Sequence, residues 1–233
     1  MEFESKNSAI TMPVLGETAP SFSAVSTMGE INFPQDYAGK WVVLFSHPSD
    51  FTPVCTSEIA AFAAMQEDFA RLNTALIGLS VDSATSHLAW VKEIRDSVTY
   101  GMYDGQDINF PLVADLNAEI ARKYGMIHPQ MNSTKTVRAV FIIDPEGIIR
   151  TILYYPQTTG RNFEEIKRVV EALQLTDLYG ISTPADWRPG KDILLAAPSD
   201  MRGVDSRLHN PDKRYCQNWF FCLDEGKKYP MQN

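Results

Sequence analysis

Two short apolar runs constrain the fold of this chain more than any other feature of its sequence. They are WVVLF at residues 41–45 and ALIGLSV at residues 75–81. Bulky runs of this length are typical of parallel strands that are buried on both faces. The segment between them carries apolar side chains at three- and four-residue spacing, namely Phe62, Met65, Phe69 and Leu72. The pattern predicts a strand, a helix that packs one face on the sheet, and a second strand.

The alternation of strands and helices continues along the chain. A second helical series after the second run is Leu88, Val91, Ile94 and Val98. Apolar runs at residues 137–144 and 148–155 are separated by DPEG, whose proline and glycine favour a tight turn and so a β-hairpin. Residues 162–165 (NFEE) have the spacing of a capping box at the start of a closing helix. We expect an α/β fold with a mixed central sheet flanked by helices.

The composition changes after residue 175, where residues that interrupt regular structure become frequent. These residues are Pro184, Pro189, Gly190, Pro198, Gly203 and Pro211. The same segment holds large apolar side chains, which are Trp187, Leu194, Leu195, Tyr215, Trp219, Phe220 and Phe221. They are too many to leave in water. We therefore predict one domain over residues 1–175 and a smaller C-terminal arm or domain over residues 176–233, which packs on the core or on another subunit.

The composition also disfavours several classes of function. The formal net charge is -8 without any block of lysine and arginine, so we expect no nucleic-acid or membrane partner. No apolar run approaches the ~20 residues that a membrane span needs. The N-terminal segment lacks the basic start and apolar core of an export signal, and three cysteines are too few for a disulfide scaffold. We expect a cytoplasmic protein whose cysteines are made as thiols.

The stretch HPSDFTPVCTSE at residues 47–58 holds the only cysteine of the first 215 residues. It connects the first predicted strand to the first predicted helix. Thr52 is placed to be the N-cap and Pro53 suits the first helical position, so Cys55 falls in the first turn. There the free backbone N–H groups and the positive end of the helix dipole favour an anionic sulfur. The alternative is that Cys55 is a small buried hydrophobe, as isolated cysteines often are.

The same stretch resembles a known family. PSDFTPVC matches the P-x-x-x-T-x-x-C signature of peroxiredoxins, which are thiol peroxidases built on a thioredoxin-like fold. Together with KTVRAVFIIDPEG and YYPQTTGRNFEEI it is similar to the one-cysteine branch, in its microbial form with two cysteines in the C-terminal arm. The resemblance extends over essentially the whole chain. It implies chemistry at a thiol, with no cofactor and no metal.

The resemblance implies roles for individual residues. Cys55 would be the peroxidatic cysteine, which attacks an oxygen of a hydroperoxide and becomes a sulfenic acid. Thr52 and Arg138 correspond to the pair that binds and orients the peroxide. The other implied site residues are Pro48, which shields the thiol, His47, which precedes that proline, and Arg161, which supports the site.

Several of these residues also have an explanation that involves no catalysis. Thr52 would cap the helix whether or not it binds peroxide. Arg161 can be a surface residue near a helix start, and His47 can be a hydrogen-bonded histidine of the turn. Arg138 differs, because an arginine within the apolar strand VRAVFIID is costly to bury without an anionic partner. Its position therefore predicts a functional charge contact.

The two remaining cysteines, Cys216 and Cys222, lie in RYCQNWFFCLDEG. By the resemblance, Cys222 would be the resolving cysteine that forms an intersubunit disulfide with Cys55, and Cys216 an auxiliary thiol able to pair with Cys222. Two alternatives remain open. Both cysteines can be incidental members of an aromatic patch, or they can bind zinc with His209, although this set lacks the tight paired spacing of structural zinc sites.

The implied function is reduction of hydrogen peroxide and organic hydroperoxides to water and alcohols, with recycling by a thioredoxin-type donor. The resemblance also implies a homo-oligomer, for which we expect a decameric ring of dimers first and a dimer second. Alternative functions are an oligomeric chaperone or redox relay, and a one-cysteine cycle that uses an external thiol. A dithiol reductase is disfavoured because the sequence has no C-x-x-C pair.

Overall fold

The computed structural model of the protein describes residues 12–209 and 215–231. The first eleven residues, which bear on the expected absence of an export signal, and Pro211 lie outside them. The chain divides into two compact units, Met1–Phe163 and Glu164–Asn233. The domain boundary expected after residue 175 stays a prediction. In the described part of the chain, no helix is both long and apolar enough to cross a membrane.

The first unit is built around a mixed sheet with helices between its strands. Its strands are β1 (Phe22–Ser26), β2 (Gly29–Phe33), β3 (Trp41–Ser46), β4 (Thr74–Ser80), β5 (Thr99–Tyr100), β6 (Tyr103–Asp104), β7 (Leu112–Ala114), β8 (Arg138–Ile143) and β9 (Ile149–Tyr155). Its helices are α1 (Pro53–Arg71), α2 (Ala84–Ser97) and α3 (Glu119–Lys123). Seven strands form one sheet in the order β2-β1-β7-β4-β3-β8-β9. The predicted fold class is confirmed.

The centre of the sheet is the predicted strand, helix and strand. All six residues of β3 are buried, as expected for a strand covered on both faces. β3 pairs in parallel with β4, and β4 pairs in parallel with β7. Such pairing requires a crossover connection, which α1 provides between β3 and β4. Phe62, Met65 and Phe69 lie on the buried face of α1, so its predicted apolar stripe is confirmed for these residues.

The predicted hairpin is formed by β8 and β9, which pair antiparallel. Gly147 adopts a φ of +82° in the turn, a conformation that favours glycine. The Oδ1 atom of Asp144 accepts the backbone N–H of Ile148 at 2.8 Å, which closes the turn. On its other edge β8 pairs antiparallel with β3. This pairing places Arg138, the first residue of β8, beside the carboxyl end of β3.

The predicted buried face of α2 is partly wrong. Leu88 is 53% exposed, whereas His87, Trp90 and Ile94 are buried. Spacing alone predicted a face that includes Leu88. The buried face includes His87 and Trp90 in place of Leu88 and Val91, and both nitrogens of the His87 ring find hydrogen-bond partners there.

The second unit contains the remaining regular elements. They are α4 (Phe163–Tyr179), whose first residue belongs to the first unit, α5 (Met201–Leu208), and the strands β10 (Ile193–Leu194), β11 (Cys216–Asn218) and β12 (Phe221–Asp224). The strands form a small sheet in the order β10-β12-β11. The closing helix predicted after residue 162 is therefore confirmed. Trp187 and Ile193 are buried in a small core of this unit, while Phe220 and Phe221 remain exposed.

Gly78 in β4 supplies a test of how tightly the central sheet is packed. A Cβ at this position would overlap the Leu112 side chain and lie 3.0 Å from the Phe45 ring. We expect Gly78→Ala to lower the free energy of unfolding by about 1–3 kcal/mol, measured by urea denaturation. Gly160→Ala is the matched control, because its Cβ would meet only Val54, at an ordinary 3.6 Å. Equal destabilisation of the two variants would contradict this packing argument.

Candidate active site

Cys55 lies where the sequence predicts it, in the first turn of α1. Thr52 occupies the N-cap position and Pro53 is the first helical residue. Cys55 is fully buried. The preceding Phe51 has a φ of +54°, a left-handed conformation that is costly for an aromatic residue and is concentrated at functional turns. The turn therefore holds the thiol in a defined place beneath the surface.

The Thr52 side chain does not cap the helix, so this part of the prediction is wrong. Its hydroxyl donates instead to the backbone carbonyl of Ser49 at 2.8 Å. The Thr52 carbonyl accepts the N–H of Thr56 at 2.9 Å, which begins the helical hydrogen-bond series. The hydroxyl proton is thus engaged within the turn, and the lone pairs of the Thr52 oxygen are not used by the helix.

Arg138 contacts the sulfur directly. Its Nη1 atom lies 3.3 Å from the Sγ atom of Cys55 and 2.7 Å from the Oε2 atom of Glu58. Its Nε and Nη2 atoms donate to the carbonyl of Gln157 at 2.9 and 2.6 Å. The guanidinium is buried, and four donor contacts define its orientation. The predicted charge contact of Arg138 is therefore present in the structure, and its carboxylate partner is Glu58.

Arg161 is buried on the other side of the same carboxylate. Its backbone N–H and its Nε atom donate to Oε1 of Glu58, both at 2.9 Å, and its Nη2 atom donates to Oε2 at 2.6 Å. Its Nη1 atom donates to the carbonyls of Ser46 at 3.0 Å and Ala139 at 2.9 Å. The alternative that Arg161 is a surface residue is wrong. It joins β3, α1 and β8 at the end where Cys55 lies.

Glu58 is the residue that sequence reasoning missed. Burial by itself raises the pKa of Glu58, but Arg161 first and then Arg138 outweigh burial and hold the pKa below its usual value. A signal was available, because Glu58 follows Cys55 by one helical turn and lies on the buried face of α1. A carboxylate on a buried face demands a cationic partner. The sequence could not say that the partners are two arginines from distant segments.

Pro48 and His47 are both buried at the end of β3. The Nε2 atom of His47 lies 2.9 Å from Oδ1 of Asp50, and Nδ1 of His87 lies 2.8 Å from Oδ2 of the same carboxylate. Desolvation lowers the pKa of His47 despite its bond to Asp50. Burial would raise the pKa of Asp50, yet the hydrogen bonds from His47 and His87 hold it well below its usual value. Asp50 and His87 were not predicted.

The same three residues have side chains of the types that bind metal ions. One potential ligand atom from each of His47, Asp50 and His87 lies within 4.8 Å of the others. Their facing atoms are already joined by hydrogen bonds. A metal ion would have to displace the shared protons, so the geometry favours a hydrogen-bonded cluster.

In the second unit, Cys216 and Cys222 form a disulfide between the paired strands β11 and β12. A zinc site that uses both thiolates is incompatible with this bond. His209 makes a different contact, because its Nδ1 atom lies 2.7 Å from the backbone carbonyl of Asp205. Cys216 is therefore bonded to Cys222 in the structure, and its auxiliary role in catalysis stays a prediction.

Comparison with known families agrees with this site. The AhpC/TSA family matches residues 15–152, and the C-terminal domain of 1-Cys peroxiredoxin matches residues 172–208. The chain belongs to the peroxiredoxin family. Peroxiredoxins are thiol peroxidases, so the protein is an oxidoreductase that acts on peroxides.

Individual relatives span nearly the full chain. A peroxiredoxin of Methanosarcina mazei is 54% identical over 213 residues, covering 91% of this chain and 97% of the relative. One from Aquifex aeolicus is 47% identical, with the same coverage. Among solved structures, the yeast mitochondrial 1-Cys peroxiredoxin has a TM-score of 0.76 at 36% identity and covers 92% of this chain and 99% of its own. That structure concerns a thiol resolving mechanism via glutathione and thioredoxin systems.

Removing the Glu58 carboxylate should destabilise the fold, because two buried guanidiniums would lose their anionic partner. We expect Glu58→Gln to lower the free energy of unfolding at pH 7 by about 3–5 kcal/mol, measured by urea denaturation. Because the pKa of Glu58 is lowered in the folded protein, its contribution is present above the usual pKa and is lost as pH falls through the folded pKa. The difference between the two proteins should therefore shrink in acid.

The exposed Glu67 on the same helix provides the control. Glu67→Gln should change the free energy of unfolding by less than about 0.5 kcal/mol. A similar small effect at Glu58 would mean that the carboxylate does not balance the two arginines.

Proposed function

We propose that the protein reduces hydrogen peroxide and organic hydroperoxides at Cys55. The observation that carries this proposal is the contact of 3.3 Å between Nη1 of Arg138 and the sulfur. The buried cluster around it contains two guanidiniums, Arg138 and Arg161, and one carboxylate, Glu58. Its formal charge is therefore positive by one. A thiolate at Cys55 would complete the charge balance of the cluster without a further ion.

The proposed reaction begins with attack of the Cys55 thiolate on the terminal oxygen of the hydroperoxide. A sulfur–oxygen bond forms while the oxygen–oxygen bond breaks. The leaving alkoxide or hydroxide takes up one proton and departs as alcohol or water, and Cys55 remains as a sulfenic acid. Negative charge moves from sulfur to the leaving oxygen in this step, so a fixed donor beside both atoms stabilises the transition state more than the ground state.

The neighbours of Cys55 can supply the contacts that the reaction needs. Arg138 Nη1 is in place to donate to a peroxide oxygen as the charge on sulfur declines. The Thr52 hydroxyl donates a hydrogen bond to the backbone carbonyl of Ser49. The oxygen of the Thr52 hydroxyl can therefore accept a hydrogen bond from the O–H of the peroxide. Pro48 would limit access of water to the thiol, and Arg161 would hold Glu58 against Arg138. His47 would provide a nearby neutral ring.

Resolution is proposed to involve both arm cysteines. The Cys222 thiolate of another subunit would attack the sulfur of the sulfenic acid, and the sulfur–oxygen bond would break. The departing hydroxide would take up one proton and leave as water, and a Cys55–Cys222 disulfide would remain. Cys216 would then attack Cys222, free Cys55 and form the Cys216–Cys222 disulfide. The presence of that disulfide in the second unit supports this order. A thioredoxin-type dithiol would reduce it and so prepare the arm for another turnover.

The exposed rings of Phe220 and Phe221 support self-association through the arm. We propose a decameric ring of dimers, with a dimer as the alternative, and a cytoplasmic location.

A one-cysteine cycle with an external thiol is the alternative to resolution by the arm. A chaperone or redox-relay role is the alternative to peroxide turnover, and Cys55→Ser separates the two, because a pure chaperone would keep its activity.

We expect Arg138→Met to lower the rate constant of Cys55 oxidation by about 100- to 1000-fold, as loss of one oriented donor to a developing charge does elsewhere. Stopped-flow measurements with hydrogen peroxide give this rate. The thiolate fraction, measured by alkylation with an uncharged reagent across pH, should fall much less. A proportional fall of both quantities would show that Arg138 acts on ionisation alone. Arg71→Met, at the exposed end of α1, is the control.

The resolving pathway is tested by one equivalent of peroxide followed by mass spectrometry and non-reducing electrophoresis. Reduced wild-type protein should end with Cys216 bonded to Cys222. Cys216→Ser should accumulate a Cys55–Cys222 link between chains, because the second exchange is blocked. Cys222→Ser should stop at the sulfenic acid. A Cys222→Ser protein that turns over with thioredoxin as fast as wild type would support the one-cysteine cycle instead.

A further inference from the structure

A buried polar cluster lies at the turn before Cys55, and two of its members, Asp50 and His87, have no part in the proposed reaction. It consists of His47 and Asp50 from the turn and His87 from α2, and all three side chains are 0–2% exposed. Asp50 contacts both rings: its Oδ1 atom lies 2.9 Å from Nε2 of His47, and Nδ1 of His87 lies 3.0 Å from Oδ1 and 2.8 Å from Oδ2. The charged neighbour is Asp82, which accepts the backbone N–H of Asp50 at 3.0 Å.

The hydrogen-bond partners of His87 define its protons. Its Nε2 atom lies 3.1 Å from the carbonyl oxygen of Val113, which can only accept, so Nε2 carries a proton. Its Nδ1 atom lies 2.8 Å from Oδ2 of Asp50. With Asp50 ionised, Nδ1 must carry a proton as well. Both ring nitrogens then donate, and the His87 ring is a buried imidazolium paired with Asp50.

The partners of His47 lead to the opposite state. Its Nε2 atom lies 2.9 Å from Oδ1 of the ionised Asp50 carboxylate, which can only accept, and therefore donates. Its Nδ1 atom is buried and has no hydrogen-bond partner among the described residues. Desolvation lowers the pKa of this ring, which opposes a second proton. His47 is thus neutral, with its proton on Nε2 and a bare lone pair on Nδ1.

The cluster is connected to the helix that carries Cys55. The His47 ring packs on Trp90, with ring centroids 5.1 Å apart. The Trp90 indole N–H donates to the hydroxyl of Thr56 at 3.2 Å, and Thr56 follows Cys55 in α1. His47 is therefore connected to the first turn of α1 through Trp90 and Thr56.

We propose that Asp50 and His87 are positioning residues for His47, acting as a carboxylate–imidazolium pair that holds His47 in its neutral Nε2–H form with Nδ1 as a proton acceptor. An acceptor in this turn suits a thiol that must lose its proton before it attacks peroxide. This catalytic consequence rests on the proposed peroxidase function, but the protonation states do not. A carboxylate that accepts the N–H of one ring nitrogen fixes the histidine tautomer and leaves the other ring nitrogen free to accept a proton.

The protonation states are measured by long-range proton–nitrogen NMR on the reduced, nitrogen-15-labelled protein at pH 7. His87 should show two protonated nitrogens, and His47 one protonated Nε2 and one unprotonated Nδ1. In Asp50→Asn the side chain offers one acceptor and one donor, so His87 should lose one of its two protons. A His87 ring with a single proton in the wild-type protein, or a His47 ring protonated on Nδ1, overturns the proposal.

The positioning role is measured by a double-mutant cycle on the rate constant of Cys55 oxidation. His87→Gln should lower it by about 10- to 100-fold, the range that loss of an orienting partner costs at metal-bound histidines. In a His47→Gln background, His87→Gln should have little further effect, because it acts through His47. Equal effects in the two backgrounds would show a general structural role and overturn the proposal. His128→Gln is the control, because the His128 ring contacts the Gly125 carbonyl and the Tyr154 ring, neither of which belongs to the cluster.

The two levels of the proposal fail in distinguishable ways. If the wild-type protein shows no peroxide reduction that depends on Cys55, the proposed function fails, while the NMR result still decides the charge pair. If peroxide reduction is present but the cycle is additive, only the positioning role fails. Thermal unfolding of each variant separates loss of fold from loss of orientation, and Asp50→Asn provides the second variant if His87→Gln does not fold.

Discussion

Two guanidiniums buried against one carboxylate are the interaction on which the site depends. Arg138 and Arg161 both bind Glu58, and together they leave one positive charge beside the Cys55 sulfur. Isolated buried charges are costly, so each member of the set requires the others. The cluster also restrains the fold, because Glu58 belongs to α1, Arg138 begins β8, and Arg161 precedes α4.

The sheet topology explains how these distant segments meet. β3 has β4 on one edge and β8 on the other, so the turn after β3 and the first residue of β8 lie together. The hairpin then returns the chain toward Gln157, whose carbonyl accepts two N–H groups of Arg138. Arg161 closes the arrangement by donating to carbonyls of both β3 and β8. Backbone carbonyls thus accept the guanidinium N–H groups of Arg138 and Arg161 that do not bind Glu58 or Cys55.

The turn before Cys55 also contacts a second cluster of charged and polar side chains, His47, Asp50 and His87, which has a different role. The Asp50 carboxylate pairs with two histidine rings instead of guanidiniums. The first cluster adds positive charge at the sulfur, whereas the second controls protons nearby. In the second unit, Cys216 and Cys222 form a disulfide.

Local signals were sufficient to predict the strands β3, β4, β8 and β9, the helices α1, α2 and α4, and the position of Cys55, because buried runs, helical spacing and proline at a helix start act within a few residues. The remaining strands and helices were not predicted. The roles of Thr52 and Arg138 came from a resemblance to peroxiredoxins, and the burial of Arg138 among apolar neighbours predicted that it needs an anion. The identity of that anion was beyond the sequence. Arg138 and Arg161 are 80 and 103 residues from Glu58, and His87 is 37 residues from Asp50. Such contacts form only when the sheet brings separate segments together, and one of them, between His87 and Asp50, lies on the buried face of α2.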